Sequence, residues 1–184
     1  MFYVEDNFLP PELIEVFDKY CAVNGTELLS DDHWSDDVTK GVTCYSQDAS
    51  KTDNALIKDN LYSRLPNARN MTVQIQKYPT DAVLAEHRDS AMSACTIFLN
   101  KEWKEEWGGH FMWMDEEDNE YKVTPKYNRA VYSLNSNNKE NQLGPRHWVS
   151  KVYGPETRSI IQVFTFGAGD PRIGYHLNYL NKKG

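Results

Sequence analysis

The sequence lacks the features that mark several common classes of protein. Among its 184 residues, no apolar run approaches the roughly 20 residues of a membrane span, and the opening MFYVEDNF lacks the basic and then apolar pattern of a signal peptide. Basic residues are in the minority, with 20 Lys and Arg against 27 Asp and Glu and a net charge of −7. Because phosphate binding depends on clustered Lys and Arg, we expect a cytoplasmic protein whose main partner is neither a membrane nor a nucleic acid.

Cysteine is also scarce in this chain. The three residues are Cys21, Cys44 and Cys95, and none of them forms a CxxC pair. The sequence therefore indicates neither a disulfide framework nor a zinc knuckle. We expect reduced thiols, with Cys21 and Cys95 as small core residues rather than nucleophiles.

The length of the chain allows one hydrophobic core, so we predict a single domain over residues 1–184. Residues 1–70 are expected to form a helical support for it. One helix is introduced by Pro10-Pro11, since proline in the first helical turn loses no needed donor, and a second is predicted over Asp53–Leu65. The polar segment Glu27–Ser50 between them is predicted to be mostly loop.

From Met71 onward the sequence consists of short apolar runs separated by Gly, Pro and Asn, which is typical of an antiparallel sandwich or barrel. Residues 71–166 are thus the predicted β core, with the N-terminal helices as a buttress, and 167–184 are expected to be a C-terminal strap. The predicted strands are Met1–Val4, Met71–Tyr78, Ser93–Asn100, Phe111–Met114, Tyr121–Thr124, Arg129–Leu134, His147–Val152 and Arg158–Phe166.

The predicted strand Met71–Tyr78 has one apolar face and one polar face. Thr72, Gln74, Gln76 and Tyr78 share the polar face, because side chains two apart in a strand point the same way. Such a face either meets water or lines a polar cavity, and in the second case Tyr78 would point at a ligand. The alternation alone leaves both open.

A candidate metal site begins with the H-x-D pair His87 and Asp89. In an extended chain these two side chains project to the same side and form a two-point chelate. His147, at the head of another predicted strand, is the best candidate for the third ligand. Two histidines and one carboxylate that leave the opposite positions open are the facial triad of non-haem Fe(II) oxygenases.

Arg158 stands at the head of the apolar run Ser159–Phe166. A guanidinium beside a buried strand needs a carboxylate partner. That partner could be an Asp or Glu of the protein in a structural salt bridge. It could also be the distal carboxylate of a dicarboxylate cosubstrate, which the planar fork of Arg158 would bind through two hydrogen bonds. The presence of the H-x-D pair and His147 favours the cosubstrate.

Several short motifs together resemble one known family, the prolyl 4-hydroxylase branch of the 2-oxoglutarate oxygenases, including the animal oxygen-sensing prolyl hydroxylases. They extend over most of the second half of the chain, and the opening Val4–Pro10 is also similar. The motifs are Gln76-Lys77-Tyr78-Pro79, Cys95-Thr96-Ile97-Phe98-Leu99-Asn100 followed by Lys101-Glu102-Trp103, Gly108-Gly109, Pro125 with Asn128-Arg129-Ala130-Val131, Pro145-Arg146-His147, and Arg158-Ser159-Ile160-Ile161.

The resemblance implies a mainly β fold, a double-stranded β-helix (jelly roll, cupin-like) with N-terminal α-helices packed on the larger sheet. It implies a dioxygenase that uses Fe(II), 2-oxoglutarate and O2, with ascorbate as a further candidate cofactor. The expected substrate is a prolyl residue in a peptide or protein, hydroxylated with release of succinate and CO2. The iron ligands would be His87, Asp89 and His147, and the residues that bind the cosubstrate would be Arg158, Tyr78, Thr96 and Phe98.

The chain also departs from the family at three places. Phe98 stands where the oxygen-sensing enzymes have a tyrosine against the cosubstrate, so one hydroxyl hydrogen bond is lost. Arg158 stands where the collagen-type branch has lysine, which sides with the oxygen-sensing type. The loop between Asp89 and Ser93 is very short, which would open the substrate entrance.

Candidate substrate-binding residues are Trp107, His110, Trp148 and Phe164. Phe164 shares the face of Arg158 and would wall the pocket, whereas His110, at a strand start, fits a structural role equally. The tryptophans could line a peptide groove or fill the core. Two alternatives to prolyl hydroxylation stay open: the same chemistry on a free amino acid, small metabolite or alkylated base, and a non-catalytic jelly-roll binding module.

Overall fold

The computed structural model describes residues 2–24, 29–30, 45–48, 61, 70–89, 91, 93–134 and 144–166. Within these ranges the chain forms one α-helix, α1, and eleven β-strands. The helix is Pro11–Asn24, and the strands are β1 Phe2–Glu5, β2 Leu29–Ser30, β3 Tyr45–Asp48, β4 Asn70–Tyr78, β5 Leu84–His87, β6 Ser93–Phe98, β7 Phe111–Met114, β8 Glu120–Val123, β9 Ala130–Leu134, β10 His147–Val149 and β11 Arg158–Phe166.

The strands form two antiparallel sheets. The larger has seven strands in the order β1-β9-β6-β11-β4-β3-β2, and the smaller has four in the order β5-β10-β7-β8. β11 is the centre of the larger sheet, because it pairs along its whole length with β4 and along most of it with β6. This mainly β jelly roll confirms the predicted fold class.

The helix α1 covers the outer face of the larger sheet. It begins at Pro11, where the missing amide hydrogen costs no hydrogen bond. Leu13, Ile14 and Phe17 lie at helical spacing and are buried in one apolar cluster with residues of the sheet. The sheet residues of this cluster that lie on the outer faces of β4, β6 and β11 are Met71, Val73, Ile75, Cys95, Ile97, Ile161 and Val163. The predicted N-terminal helix on the larger sheet is therefore confirmed.

Three strands were not predicted from the sequence. β2 and β3 lie within Glu27–Ser50, which was predicted to be mostly loop and whose other residues lie outside the described ranges, and β5 lies where no strand was predicted. These strands are short and have no alternating apolar residues, so the local pattern did not indicate them. They form through the hydrogen-bonding ladders of their neighbours: β3 pairs with β4, and β5 pairs with β10.

Some expectations fall outside the described residues. These are the predicted second helix over Asp53–Leu65, apart from the buried Leu61, the C-terminal strap over 167–184, and Cys44. Cys95 is a buried free thiol, and burial raises the pKa of this thiol well above its usual range. No helix in the described ranges is both long and apolar enough to cross a membrane.

Asp6 ties the end of β1 to the segment between β8 and β9. Its carboxylate accepts a hydrogen bond of 2.7 Å from Lys126 Nζ and one of 2.6 Å from Arg129 Nε. The hydrogen bonds from Arg129 and Lys126 hold the pKa of Asp6 well below its usual range. A carboxyl group whose pKa is lower in the folded than in the unfolded state stabilises the fold above the unfolded pKa of about 4, and this stability is lost as the pH falls through the folded pKa.

We therefore expect Asp6→Asn to lower the free energy of unfolding near neutral pH by about 1 kcal/mol or less, since the pairs are partly exposed and screened. The loss should shrink as the pH falls below about 4. Urea unfolding at pH 7 and pH 3 measures it, with Glu156→Gln as an exposed control. An equal loss at both pH values would contradict the electrostatic origin.

Candidate active site

A cavity of about 310 Å³, counting its open mouth, lies between the two sheets. The larger sheet contributes side chains from β4, β6 and β11, and the smaller sheet contributes side chains from β5, β7 and β10. The lining residues are Gln76, Tyr78, Leu84, His87, Asp89, Thr96, Phe111, His147, Val149, Arg158, Ile160, Gln162 and Phe164. A small ligand or a single side chain could enter such a space, whereas a whole folded partner could not.

His87, Asp89 and His147 meet at one side of this cavity. One potential ligand atom from each lies within 4.8 Å of the others. His147 Nε2 is 3.3 Å from Asp89 Oδ2, and His87 Nε2 is 3.8 Å from Asp89 Oδ1. Within the described part of the chain, this is the group of His, Cys, Asp and Glu residues that could hold a metal ion.

Backbone carbonyls set the tautomer of both histidines. His87 Nδ1 is 2.8 Å from the carbonyl oxygen of Ala85, and His147 Nδ1 is 2.9 Å from that of Pro145. A carbonyl only accepts, so each ring must carry its hydrogen on Nδ1 and present the lone pair of Nε2 toward Asp89. Two Nε2 lone pairs and a carboxylate on one side are the donors that a divalent transition metal requires.

The small sheet holds this triad in place. His147 is the first residue of β10 and lies opposite His87 of β5 and Trp113 of β7. The ring of Phe111 stacks on His147, with centroids 5.4 Å apart and an interplanar angle of 13°. The segment after β5 is fixed to the one before β10, because the amide of Gly144 donates to the carbonyl of Asp89 over 2.8 Å. The segments that carry Asp89 and His147 are therefore joined by this hydrogen bond and by the pairing of β5 with β10.

Burial and mutual proximity shape the protonation of the two imidazoles, whose centroids are 4.2 Å apart. Burial lowers the pKa of His87, and the charge of His147 lowers it further. Burial also acts to lower the pKa of His147, but the charge of Asp89 and its hydrogen bond outweigh this and raise it. The proton that this site takes up without a metal is thus placed on His147, between the carboxylate and the second imidazole.

Arg158 is completely buried at the other side of the cavity. Its guanidinium carbon lies 4.9 Å from the ring centre of Tyr78 and 5.1 Å from that of Phe98. Its Nε–H donates to the carbonyl of Gly109 over 2.7 Å. The ring contacts and this hydrogen bond fix the plane of the guanidinium, so the charge is held in one orientation within the cavity.

Gly109 is the residue that allows this approach. Its φ is +61°, which L side chains rarely adopt, and a Cβ there would lie 2.9 Å from Arg158 Cδ. We expect Gly109→Ala to lower the free energy of unfolding by more than about 1 kcal/mol and to weaken the binding of a carboxylate ligand, because Arg158 must shift.

The matched control is Gly154→Ala, whose Cβ would lie 2.5 Å from Cγ of Trp107 and not against Arg158. It should destabilise the fold as well but leave ligand affinity unchanged. Thermal unfolding and calorimetric titration with 2-oxoglutarate separate the two effects. Equal ligand affinity for Gly109→Ala and the parent chain would contradict the role of Gly109.

The polar face of β4 lines this cavity rather than meeting water. Tyr78 and Gln76 are 2% exposed and both border the cavity. The hydroxyl of Tyr78 donates to Gln76 Oε1 over 2.7 Å, and Gln76 Nε2 donates to Gln74 Oε1 over 3.0 Å. Of the two interpretations that the alternation left open, the cavity is the correct one.

Two polar residues of the cavity wall, Gln76 and Gln162, were not predicted as site residues. Four apolar ones were not predicted either: Leu84, Phe111, Val149 and Ile160. Gln162 lies opposite both Gln74 and Thr96, and its Oε1 accepts a hydrogen bond of 2.7 Å from the Thr96 hydroxyl. The signal for both was present, since Gln76 shares the face of Tyr78 and Gln162 shares the face of Arg158.

The four candidate substrate residues separate into two groups. Phe164 lines the cavity, whereas Trp107, His110 and Trp148 do not. Trp148 alternates with His147 and Val149, which both line it, and lies opposite Met112 on the other face of the small sheet. His110 immediately precedes β7, and burial lowers its pKa, as does the charge of Lys122.

Trp107 lies in the turn before β7, and its side chain packs over Gly154. Phe98 is also absent from the cavity lining, and it contacts the face of the Arg158 guanidinium instead. The remaining residues that the sequence analysis proposed for the site lie together in the cavity: His87, Asp89, His147, Arg158, Tyr78 and Thr96.

Comparison with known proteins identifies a family model, that of the 2OG-Fe(II) oxygenase superfamily, which matches residues 73–166. The fold is similar to the crystal structure of a prolyl-4-hydroxylase from Pseudomonas putida, with a TM-score of 0.67 and 16% identity over 91% of this chain and 93% of that one. No curated protein matches the sequence.

Two further solved structures share the fold. One is a prolyl hydroxylase from Trichoplax adhaerens in complex with a peptide fragment of the hypoxia inducible factor oxygen degradation domain, with a TM-score of 0.67 and 17% identity over 91% of this chain and 84% of that one. The other is the viral collagen prolyl hydroxylase of Paramecium Bursaria Chlorella virus-1 in complex with 2OG, with a TM-score of 0.60 and 13% identity over 89% and 94%.

Proposed function

Because this chain belongs to the 2OG-Fe(II) oxygenase superfamily, we propose that it is an Fe(II)- and 2-oxoglutarate-dependent dioxygenase that hydroxylates a prolyl residue in a peptide or protein. We propose further that residues 1–184 act as one domain. The observation that carries the activity is the meeting of His87, Asp89 and His147 in the same cavity as the buried charge of Arg158.

The residues present fit both groups that the superfamily requires. Two imidazoles with their Nε2 lone pairs turned inward and one carboxylate are a donor set suited to Fe(II). Arg158 brings a positive charge with a forked donor edge into a dry cavity, which suits the distal carboxylate of a dicarboxylate cosubstrate. We assign His87, Asp89 and His147 as the iron ligands and Arg158 as the residue that binds 2-oxoglutarate.

When bound, iron and 2-oxoglutarate supply the oxidation, in which O2 is divided between succinate formation with loss of CO2 and one hydroxyl group on the substrate carbon. The protein orients these groups. Arg158, whose guanidinium is held by Tyr78, Phe98 and Gly109, would bind the distal carboxylate of the cosubstrate and so orient it toward the triad. Leu84, Val149 and Ile160 exclude water from the space between.

The prolyl substrate is proposed on the basis of the resemblance of the motifs and of the structural neighbours, three of which are prolyl hydroxylases. One of those neighbours contains a peptide. A peptide also suits a site at the mouth of a small cavity, since a single side chain can enter while the rest of the substrate stays outside.

Succinate formation by the purified chain with Fe(II), ascorbate, O2 and 2-oxoglutarate tests this proposal. Proline-containing peptides are compared with the same peptides carrying alanine in place of proline, and mass spectrometry follows the gain of one oxygen atom. Stimulation by the proline peptides alone, with hydroxyproline as product, is the expected result. Succinate that no prolyl peptide stimulates would overturn the substrate, and a folded, iron-loaded chain that forms no succinate would overturn the activity.

A further inference from the structure

Two buried glutamines, Gln76 and Gln162, line the cavity that also holds Arg158 and the metal triad. They are 2% and 7% exposed. We propose that their amide N–H groups bind oxygen atoms of the anionic cosubstrate, so that both are residues that determine cosubstrate specificity. This inference rests on the proposed function and adds two amide groups to the guanidinium of Arg158 as donors to the cosubstrate.

The direction of the hydrogen bonds indicates what these amides offer to a ligand. The oxygen of Gln162 accepts from the Thr96 hydroxyl, and the oxygen of Gln76 accepts from the Tyr78 hydroxyl, each over 2.7 Å. Both carboxamide oxygens are therefore occupied by donors of their own sheet. What each glutamine can offer to the cavity is its NH2 group, which only donates. One hydrogen of Gln76 Nε2 is already donated to Gln74 Oε1 over 3.0 Å, so Gln76 offers its second N–H.

The register of the sheet spreads these donors along the cavity. Arg158 lies opposite Tyr78, Gln76 lies opposite Ile160, and Gln162 lies two residues further along β11 than Ile160. Residues two apart on one face of a strand are separated by roughly 7 Å. A guanidinium at one end and amide N–H groups at two further levels are complementary to a short chain that carries acceptor oxygens at both ends.

The need to fill space in the core does not explain why these two buried positions carry amide side chains. On the opposite face of the same central strand, Ile161 and Val163 pack against α1 with no polar atom in their side chains. A core position next to the cavity would be equally well filled by such a residue, because a buried amide loses its hydration and must regain hydrogen bonds. The polar pair Thr96 and Gln162 occurs where the sheet faces the cavity, as expected for a group that has a ligand to bind.

The test is calorimetric titration of the Mn(II)-loaded full chain with N-oxalylglycine, an analogue of 2-oxoglutarate that does not react. Gln76→Met and Gln162→Met keep the side-chain length and remove the donors. We expect each to bind the analogue about 10-fold to 100-fold more weakly, the usual effect of losing a hydrogen bond to a charged group. The affinity for Mn(II) alone should stay unchanged in both.

The matched control is Ser93→Ala, which removes a hydrogen bond between the hydroxyl groups of Ser93 and Thr165. This bond joins the same two strands, β6 and β11, but on the face turned toward α1. The control should bind the analogue like the parent chain. If a methionine variant fails to fold in a thermal scan, Thr96→Val replaces it in the test. This variant removes the hydrogen bond that orients the Gln162 amide, so it should weaken binding of the analogue, and Thr96→Ser should bind the analogue like the parent chain.

The possible outcomes separate the two proposals. A parent chain that binds the analogue with the help of Mn(II), together with methionine variants that bind equally tightly, would overturn the role of the glutamines and leave the proposed function standing. A parent chain that does not bind the analogue at all would overturn both. Weaker binding in Ser93→Ala as well would show a general effect of sheet stability, and the glutamine inference would then be wrong.

Discussion

Replacing Asp89 by alanine is expected to weaken Fe(II) binding by more than about 100-fold and to abolish succinate formation. Loss of a residue that merely orients a metal ligand typically costs 10-fold to 100-fold in metal affinity, so loss of a ligand itself should exceed that range. Asp89 supplies the negative charge between the two imidazoles and lies within 3.8 Å of both. Without it, two neutral nitrogens face a divalent cation in a largely buried site.

The measurement is a competition titration of Fe(II) under anaerobic conditions, followed by the succinate assay. Glu86→Ala is the matched control, because Glu86 is an exposed acid on β5 that pairs with Arg146 and lies outside the cavity lining. The control should keep metal affinity and succinate formation. Comparable loss in both variants would mean that acidity near β5, and not a ligand at Asp89, attracts the metal.

Substitution of Arg158 should separate cosubstrate binding from iron binding. We expect Arg158→Met to raise the KM for 2-oxoglutarate by a factor between about 30 and several thousand, since truncating one partner of a buried charge pair costs about 2–5 kcal/mol. Fe(II) affinity should be unchanged, and kcat at saturating cosubstrate should fall less than KM rises, because the interaction is made equally in the ground state and the transition state.

Arg158→Lys tests the geometry of the pair. Lysine keeps the charge but has no planar fork and no Nε–H to donate to Gly109, so its effect should lie between those of Arg158→Met and the parent chain. Arg129→Lys is the same change at an arginine whose partners are Asp6 and the carbonyl of Thr124. It should leave the KM unchanged. A parent-like KM in Arg158→Met would remove Arg158 from the cosubstrate site and leave the iron ligands in place.

Much of the candidate site was accessible from the sequence because its geometry is local. The spacing of His87 and Asp89 places two ligands on one side of an extended chain whatever surrounds it. His147 and Arg158 each begin a strand, so their positions at strand ends followed from the strand boundaries. Alternation could also have excluded Trp148 from the cavity, given that His147 was proposed to face it.

Other features depend on contacts between distant segments and could not be predicted from local sequence. Whether Gln76 and Tyr78 meet water or a cavity depends on the small sheet lying opposite them. β3 forms because β4 offers it a free ladder, and the edge strand β2 pairs with β3 in turn, so neither depends on its own residues alone. The contact between the Phe98 ring and the Arg158 guanidinium likewise depends on the register between β6 and β11, which local sequence does not give.

The pairing of β11 with β4 ties the catalytic function of the protein to the length of this strand. Nine consecutive pairs place Arg158 and Gln162 toward the cavity and Ile161 and Val163 toward α1. A single inserted or deleted residue inside β11 would exchange the two faces, since a one-residue slip reverses every side chain. A change within β11 that keeps Arg158 and Gln162 in the cavity must therefore be a substitution and not an insertion or a deletion.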